Sequence, residues 1–163
     1  MLNKCILYVV CCQLTIMVGQ VLADVPMRPA FDHVVCSNNS RYCAFISPTE
    51  GVKGFKIEGG RNNIEPTYTI AGWYLKAYLS DDGQKLIVVQ PMISPAHVKD
   101  EFAVRVWVGG TLRKSIYMHE ILGKRRPIKT SGGNYVWCTE AGFDSDRRFV
   151  LKLNDGSKYE IKF

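Results

Sequence analysis

Apolar and polar positions alternate with a period of two through the C-terminal part of the chain. Phe149, Leu151 and Leu153 are interleaved with Val150, Lys152 and Asn154, and Tyr159, Ile161 and Phe163 with Lys158, Glu160 and Lys162. Such alternation sets one row of side chains on a core and the other in water. Between the two runs lies Asn154-Asp155-Gly156, whose glycine accepts the positive φ of a tight turn. The pattern predicts a terminal β-hairpin. Upstream, Phe102, Val104, Val106 and Val108 alternate with Ala103, Arg105 and Trp107, and Gly109-Gly110 turns the chain into residues 112–117. Leu75, Ala77 and Leu79 alternate with Tyr74, Lys76 and Tyr78. Leu86-Ile87-Val88-Val89 is apolar at every position, the signature of a strand covered on both faces. Only residues 118–122, MHEIL, read as helical, for little more than one turn. These elements predict an all-β fold, an antiparallel β-sandwich or barrel-like sheet built of hairpins, with one short helix near residues 118–122.

Four stretches share one grammar of polar turn residues followed by an apolar-alternating strand: SNNSRYCAFI, LSDDGQKLIVV, FDSDRRFVLKL and LNDGSKYEIKF. Asp81-Asp82-Gly83 occupies the place that Asn38-Asn39-Ser40 and Asp155-Gly156 occupy in the others. Asp and Asn recur there because they tolerate left-handed geometry and bond their own backbone. The paired carboxylates are therefore expected at a hairpin corner. A calcium loop needs several acids at alternating positions. Asp81 and Asp82 are adjacent, and Asp144-x-Asp146 lacks the third acid and the distal glutamate, so neither a metal nor a cofactor is expected.

The chain has 163 residues and a formal net charge of +6. Its first 23 residues carry a short basic start, an apolar run and small residues Val21 and Ala23 flanking Leu22, the pattern of a secretory signal. Cleavage there leaves residues 24–163 as a single β domain, secreted or periplasmic, with no membrane span. The alternative is an uncleaved N-terminal anchor. Residues 5–23 barely reach the ~20 apolar residues a span needs, and Gln13, Thr15 and Gln20 interrupt them. The positive balance is too modest for a nucleic-acid partner. Its one dense run, Lys124-Arg125-Arg126 with Lys129 beyond Pro127, reads as a solvated loop or an anion-binding patch.

Of six cysteines, Cys5, Cys11 and Cys12 leave with the signal, and Cys36, Cys43 and Cys138 enter an oxidising compartment. SNNSRY can turn the chain between Cys36 and Cys43, which are expected to bridge and leave Cys138 as a free thiol. Spacing alone leaves the other two pairings open. A thiol enzyme would use Cys138 with His119 or His97 as base; the competing reading makes Cys138 a small buried hydrophobe beside Trp137. The chain carries no G-x-S-x-G elbow, H-E-x-x-H helix, phosphate loop or dinucleotide glycine pattern. Asn38-Asn39-Ser40 is formally an N-glycosylation acceptor and equally good turn chemistry. Among the aromatics, Tyr74 and Tyr78 fall on one face of a strand that also holds Trp73, either an outward strip or a second core layer.

Gly72-Trp73 followed by Leu79-Ser80-Asp81-Asp82-Gly83 and Leu86 resembles a family of small exported bacterial proteins of unassigned function. The resemblance extends over residues 72–163 through Val104–Gly110, Met118–Leu122, Asn134-Tyr135-Val136-Trp137 and Arg147–Phe163. It implies export and this architecture, and it carries over no catalytic residue. The sequence thus favours a non-catalytic binding module for a protein or anionic ligand outside the cytoplasm, contacting it through Trp73, Tyr74 and Tyr78 or through Lys124, Arg125, Arg126 and Lys129. The alternative is an extracytoplasmic hydrolase or thiol enzyme using Cys138 with a histidine base.

Overall fold

Leu86, Ile87, Val88 and Val89 are all buried, because the sheet that carries them has a neighbour on each side. The structure is a computed structural model that describes residues 29–57, 65–95, 101–145 and 148–163. Residues 1–28, which include the expected secretory signal, and His97 and Asp146 lie outside the described residues.

In chain order, strands β1 (His33–Cys36), β2 (Tyr42–Ser47), β3 (Gly51–Lys56) and β4 (Tyr68–Ile70) form a first antiparallel meander. Next come β5 (Ala77–Leu79), β6 (Lys85–Val89), the two-residue β7 (Met92–Ile93), β8 (Phe102–Val108) and β9 (Thr111–Tyr117). The second sheet has the order β5-β6-β8-β9. Helix α1 (Met118–Leu122) leads to β10 (Ile128–Lys129) and β11 (Tyr135–Val136), which join β7 in a small sheet of order β10-β11-β7. The chain closes with β12 (Cys138–Ser145), β13 (Arg148–Leu153) and β14 (Lys158–Lys162), a third antiparallel meander. The all-β class, the terminal hairpin and the short helix all stand where the residue pattern places them.

Side-chain alternation stacks these sheets. Ala44, Ile46, Val52 and Ile70 of the first sheet meet Leu79, Leu86, Val88 and Trp107 of the second. From the other face of the second sheet, Ile87, Val89, Val104 and Val106 meet Phe149, Leu151, Leu153 and Ile161 of the third. Met118, Ile121 and Leu122 of α1 and the fully buried Trp137 complete that second interface. Each such side chain contributes about 1.5–3 kcal/mol by leaving water. Helix α1 is held at its start by the Tyr117 N–H, which donates to Glu120 Oε2 at 2.6 Å, and stops at Gly123, whose N–H donates to His119 O at 2.9 Å.

The hairpin corners repeat one geometry. Ser40, Gly83 and Gly156 each donate an N–H across 2.9 Å to the carbonyl three residues back, on Ser37, Ser80 and Leu153. All three have positive φ, at 57°, 70° and 81°. Asp82 accepts from Ser80 Oγ, from the Gln84 N–H at 2.9 Å and from Lys85 Nζ at 2.7 Å, which holds its carboxyl below the usual range against the opposing effect of partial burial. Asp81 accepts from the Asn39 N–H at 2.8 Å, clipping the corner of the second sheet to that of the first. The paired carboxylates are corner residues. Cys36 and Cys43 are directly opposed across β1 and β2, 4.0 Å apart at Cα, and bridge. No helix among the described residues is long and apolar enough to cross a membrane.

Candidate functional site

The turn out of α1 throws the basic run across the end of the third sheet. Gly123 has a φ of 58°, and the Arg125 N–H donates to Leu122 O at 2.9 Å, so the chain doubles back before Pro127. Beneath it lies a cleft of about 200 Å³ with Leu122, Trp137 and Leu153 at its floor and Pro127 as one wall. Arg125, Arg126, Asn154 and Asp155 form the rim. The floor is rigid for identifiable reasons. The Trp137 indole N–H donates to Gln90 O at 2.7 Å, the Asn154 N–H donates to Trp137 O at 3.2 Å, and the Asn154 side-chain amide donates to Val136 O.

The rim carries two guanidinium groups and one carboxylate. Arg125 Nε lies 3.0 Å from Asp155 Oδ2. Asp155 also accepts from the Ser157 hydroxyl and, at 2.9 Å, from the Ser157 N–H; these bonds, with Arg125 adding to them, hold its carboxyl below the ordinary range. Arg126 is exposed and forms no ion pair with a described residue. Of the four expected basic residues, Arg125 and Arg126 therefore line the cleft, while Lys124 and Lys129 point to solvent outside it. Trp137, Asn154 and Asp155 join the site through packing of distant segments. The sequence signal for that meeting is only the opposite charge of Arg125 and Asp155.

The expected aromatic strip is not formed. Tyr74 precedes β5, because the chain bends at Leu75 and Lys76, so the period of two does not run from Tyr74 to Tyr78. Tyr74 donates to Ala71 O at 3.0 Å and packs 5.4 Å from Trp107 in the first interface. Tyr78 meets Phe149 edge-on at 5.2 Å in the second. Trp73 also packs against the first interface, its indole N–H donating to Phe31 O at 2.9 Å and its ring edge-on to Phe31 and His33.

Cys138 is free and buried within the second interface. Its thiol donates to Glu140 O at 3.1 Å, and burial pushes its pKa up against the opposing effects of Lys76 and of backbone hydrogen bonds, which favours the unreactive protonated form. No described histidine hydrogen-bonds to it; His119 instead stacks on Tyr117. The outer face of the third sheet is a ladder of exposed charges, with Lys152 3.0 Å from Glu140 and Arg148 beside both Asp144 and Glu160. Exposed pairs of this kind contribute about 0–1 kcal/mol each. Among the described residues no three His, Cys, Asp or Glu side chains converge as a metal site.

No protein-family model and no curated protein matches this chain. A solved structure, that of a candidate 6-phosphogluconolactonase from Bacteroides fragilis, shares 18% identity over 80% of this chain, with a TM-score of 0.35. The chain spans 38% of that protein's length, and a likeness this distant bears on neither fold nor activity.

Proposed function

We propose that this protein is an exported, non-catalytic interaction module that holds an acidic segment of its partner at the cleft under Arg125 and Arg126. The observation that carries this reading is the pair of guanidinium groups over an apolar floor, one of them without an ion pair among the described residues. Guanidinium forks bind carboxylates with directional, charge-assisted hydrogen bonds. The apolar floor excludes water from one side of that contact and strengthens it. The Cys36–Cys43 bridge fits a site of action outside the cytoplasm. The buried, protonated thiol of Cys138 offers the competing enzyme reading little support.

Fluorescein-labelled hexaglutamate, with hexaglutamine as its neutral control, tests the proposal by anisotropy. Replacing Arg125 and Arg126 with Ala removes two charge-assisted contacts worth about 1.5 kcal/mol each, so affinity should fall by more than about tenfold. Lys124→Ala with Lys129→Ala removes the same net charge and should cost far less. Equal losses in the two double variants would reduce the effect to general attraction by a cationic chain. Hexaglutamine binding as tightly as hexaglutamate would remove the anion from the reading altogether.

A further inference from the structure

The carboxylate on the rim of the cleft works against the two guanidinium groups beside it. Arg125 and Arg126 each bring a positive charge and Asp155 cancels one of them, so the rim presents a single net positive charge. Asp155 is fixed in that place by its own turn. Its Oδ1 accepts from the Ser157 N–H at 2.9 Å and from the Ser157 hydroxyl, which engages both lone pairs. Its Oδ2 lies 3.0 Å from Arg125 Nε. The Arg125 guanidinium keeps further donors on its terminal nitrogens, beside those of Arg126.

Size sets a matching limit. An apolar cavity of about 150 Å³ holds one benzene. The cleft, at about 200 Å³, therefore has room for a single side chain. Its lining of Leu122, Pro127, Trp137 and Leu153 suits methylene groups below the charged rim.

We infer that Asp155 sets what the cleft accepts: one monoanionic carboxylate on a short apolar stem, the side chain of a single Glu or Asp of the partner, in preference to a doubly charged phosphate. This specificity rests on the function proposed above and names the group that the cleft reads within the acidic segment. Attraction to the rim grows in proportion to the ligand's charge. The penalty for drawing that ligand out of water onto an apolar floor grows as the square of the charge. Over a rim with one net positive charge the monoanion is the better bound. Removing the Asp155 carboxylate doubles the rim charge and shifts the preference toward the dianion. The same carboxylate repels the neighbouring acids of an acidic run, so only one of them enters.

NMR titrations on the full chain, with the Cys36–Cys43 bridge intact, would follow the Arg125 and Arg126 Nε–H resonances at about pH 7.5, where phosphoserine is a dianion. The probes are the α-amides of N-acetylglutamate and N-acetylphosphoserine, with N-acetylglycine as a stemless, chain-terminal carboxylate. Wild type should bind the glutamate probe at least as tightly as the phosphoserine probe, and N-acetylglycine more weakly than either. Asp155→Asn keeps the turn acceptor for the Ser157 N–H and should move the ratio of the two affinities toward phosphoserine by at least about threefold. Asp144→Asn removes the same charge from the outer face of the third sheet and should leave that ratio where it was. A wild-type preference for phosphoserine overturns the inference. So does a ratio that Asp155→Asn leaves unmoved, or that Asp144→Asn moves equally. N-acetylglycine binding more tightly than the glutamate probe overturns the side-chain assignment and gives the cleft to a chain terminus. Each of these failures leaves hexaglutamate bound through Arg125 and Arg126, whereas a chain that binds no anion there loses the proposed function and this specificity together.

Discussion

Gly83 and Gly156 occupy equivalent corners, which makes them a matched pair for separating backbone strain from packing. Both have positive φ, 70° and 81°, and both donate to the carbonyl three residues back. Their surroundings differ. A Cβ on Gly83 would stand 2.2 Å from Tyr42 Cδ1 and 2.4 Å from its Cγ, whereas one on Gly156 meets nothing within 4 Å. Left-handed geometry costs alanine about 1–2 kcal/mol, partly offset by the lower entropy of the unfolded alanine chain, about 0.4–1 kcal/mol. Gly156→Ala should therefore lose about 1 kcal/mol. Gly83→Ala must also push the Tyr42 ring out of the first interface, an overpacking cost of about 2 kcal/mol. The loss should total about 3 kcal/mol, and the two variants should melt about 8 °C apart for a domain of this size. Urea unfolding of both variants, repeated in a Tyr42→Ala background, measures the coupling. Equal losses for the two glycines, or a gap that persists without the Tyr42 ring, would refute the argument.

Two further outcomes follow from buried groups. Tyr68 carries a buried hydroxyl without a hydrogen-bond partner among the described residues, so Tyr68→Phe should stabilise the fold by about 1 kcal/mol in urea. Burial pushes the Tyr68 pKa up to about 12, so its share of stability is full below its unfolded value of about 10 and drains away as pH rises from there through 12; Tyr68→Phe should flatten that alkaline loss, measured as the urea midpoint against pH. Cys138 should resist iodoacetamide at about pH 8 until urea opens the second interface, and rapid labelling of the native protein would place the thiol at the surface.

The elements legible in the sequence are those whose side-chain period survives over five or more residues. β6 betrays its two covered faces by an unbroken apolar run, and β13 with β14 betrays its hairpin by alternation around Asn154-Asp155-Gly156. The three described corners share residues whose local bonding specifies them without reference to the rest of the fold. β7, β10 and β11 are two residues long and have no period to read. The Tyr74–Tyr78 spacing misled because a bend at Leu75 and Lys76 breaks the count, leaving Leu75 55% exposed. In the cleft, the basic run was visible as composition, but its floor comes from α1, the segment after β11 and the end of β13. Contacts across such separations depend on how the sheets stack, and local pattern does not encode that stacking.

The two buried clusters on either side of the second sheet have no residue in common. Ile46 and Phe149 thus belong to interfaces joined through the shared strands β5, β6 and β8. Energetic independence follows from that separation, because coupling between substitutions requires contact or a shared rearrangement. Losses measured at the two positions should sum. Sequence drift at one interface can then proceed without compensating change at the other, so the cleft under Arg125 and Arg126 is insulated from whatever the first sheet is selected to do.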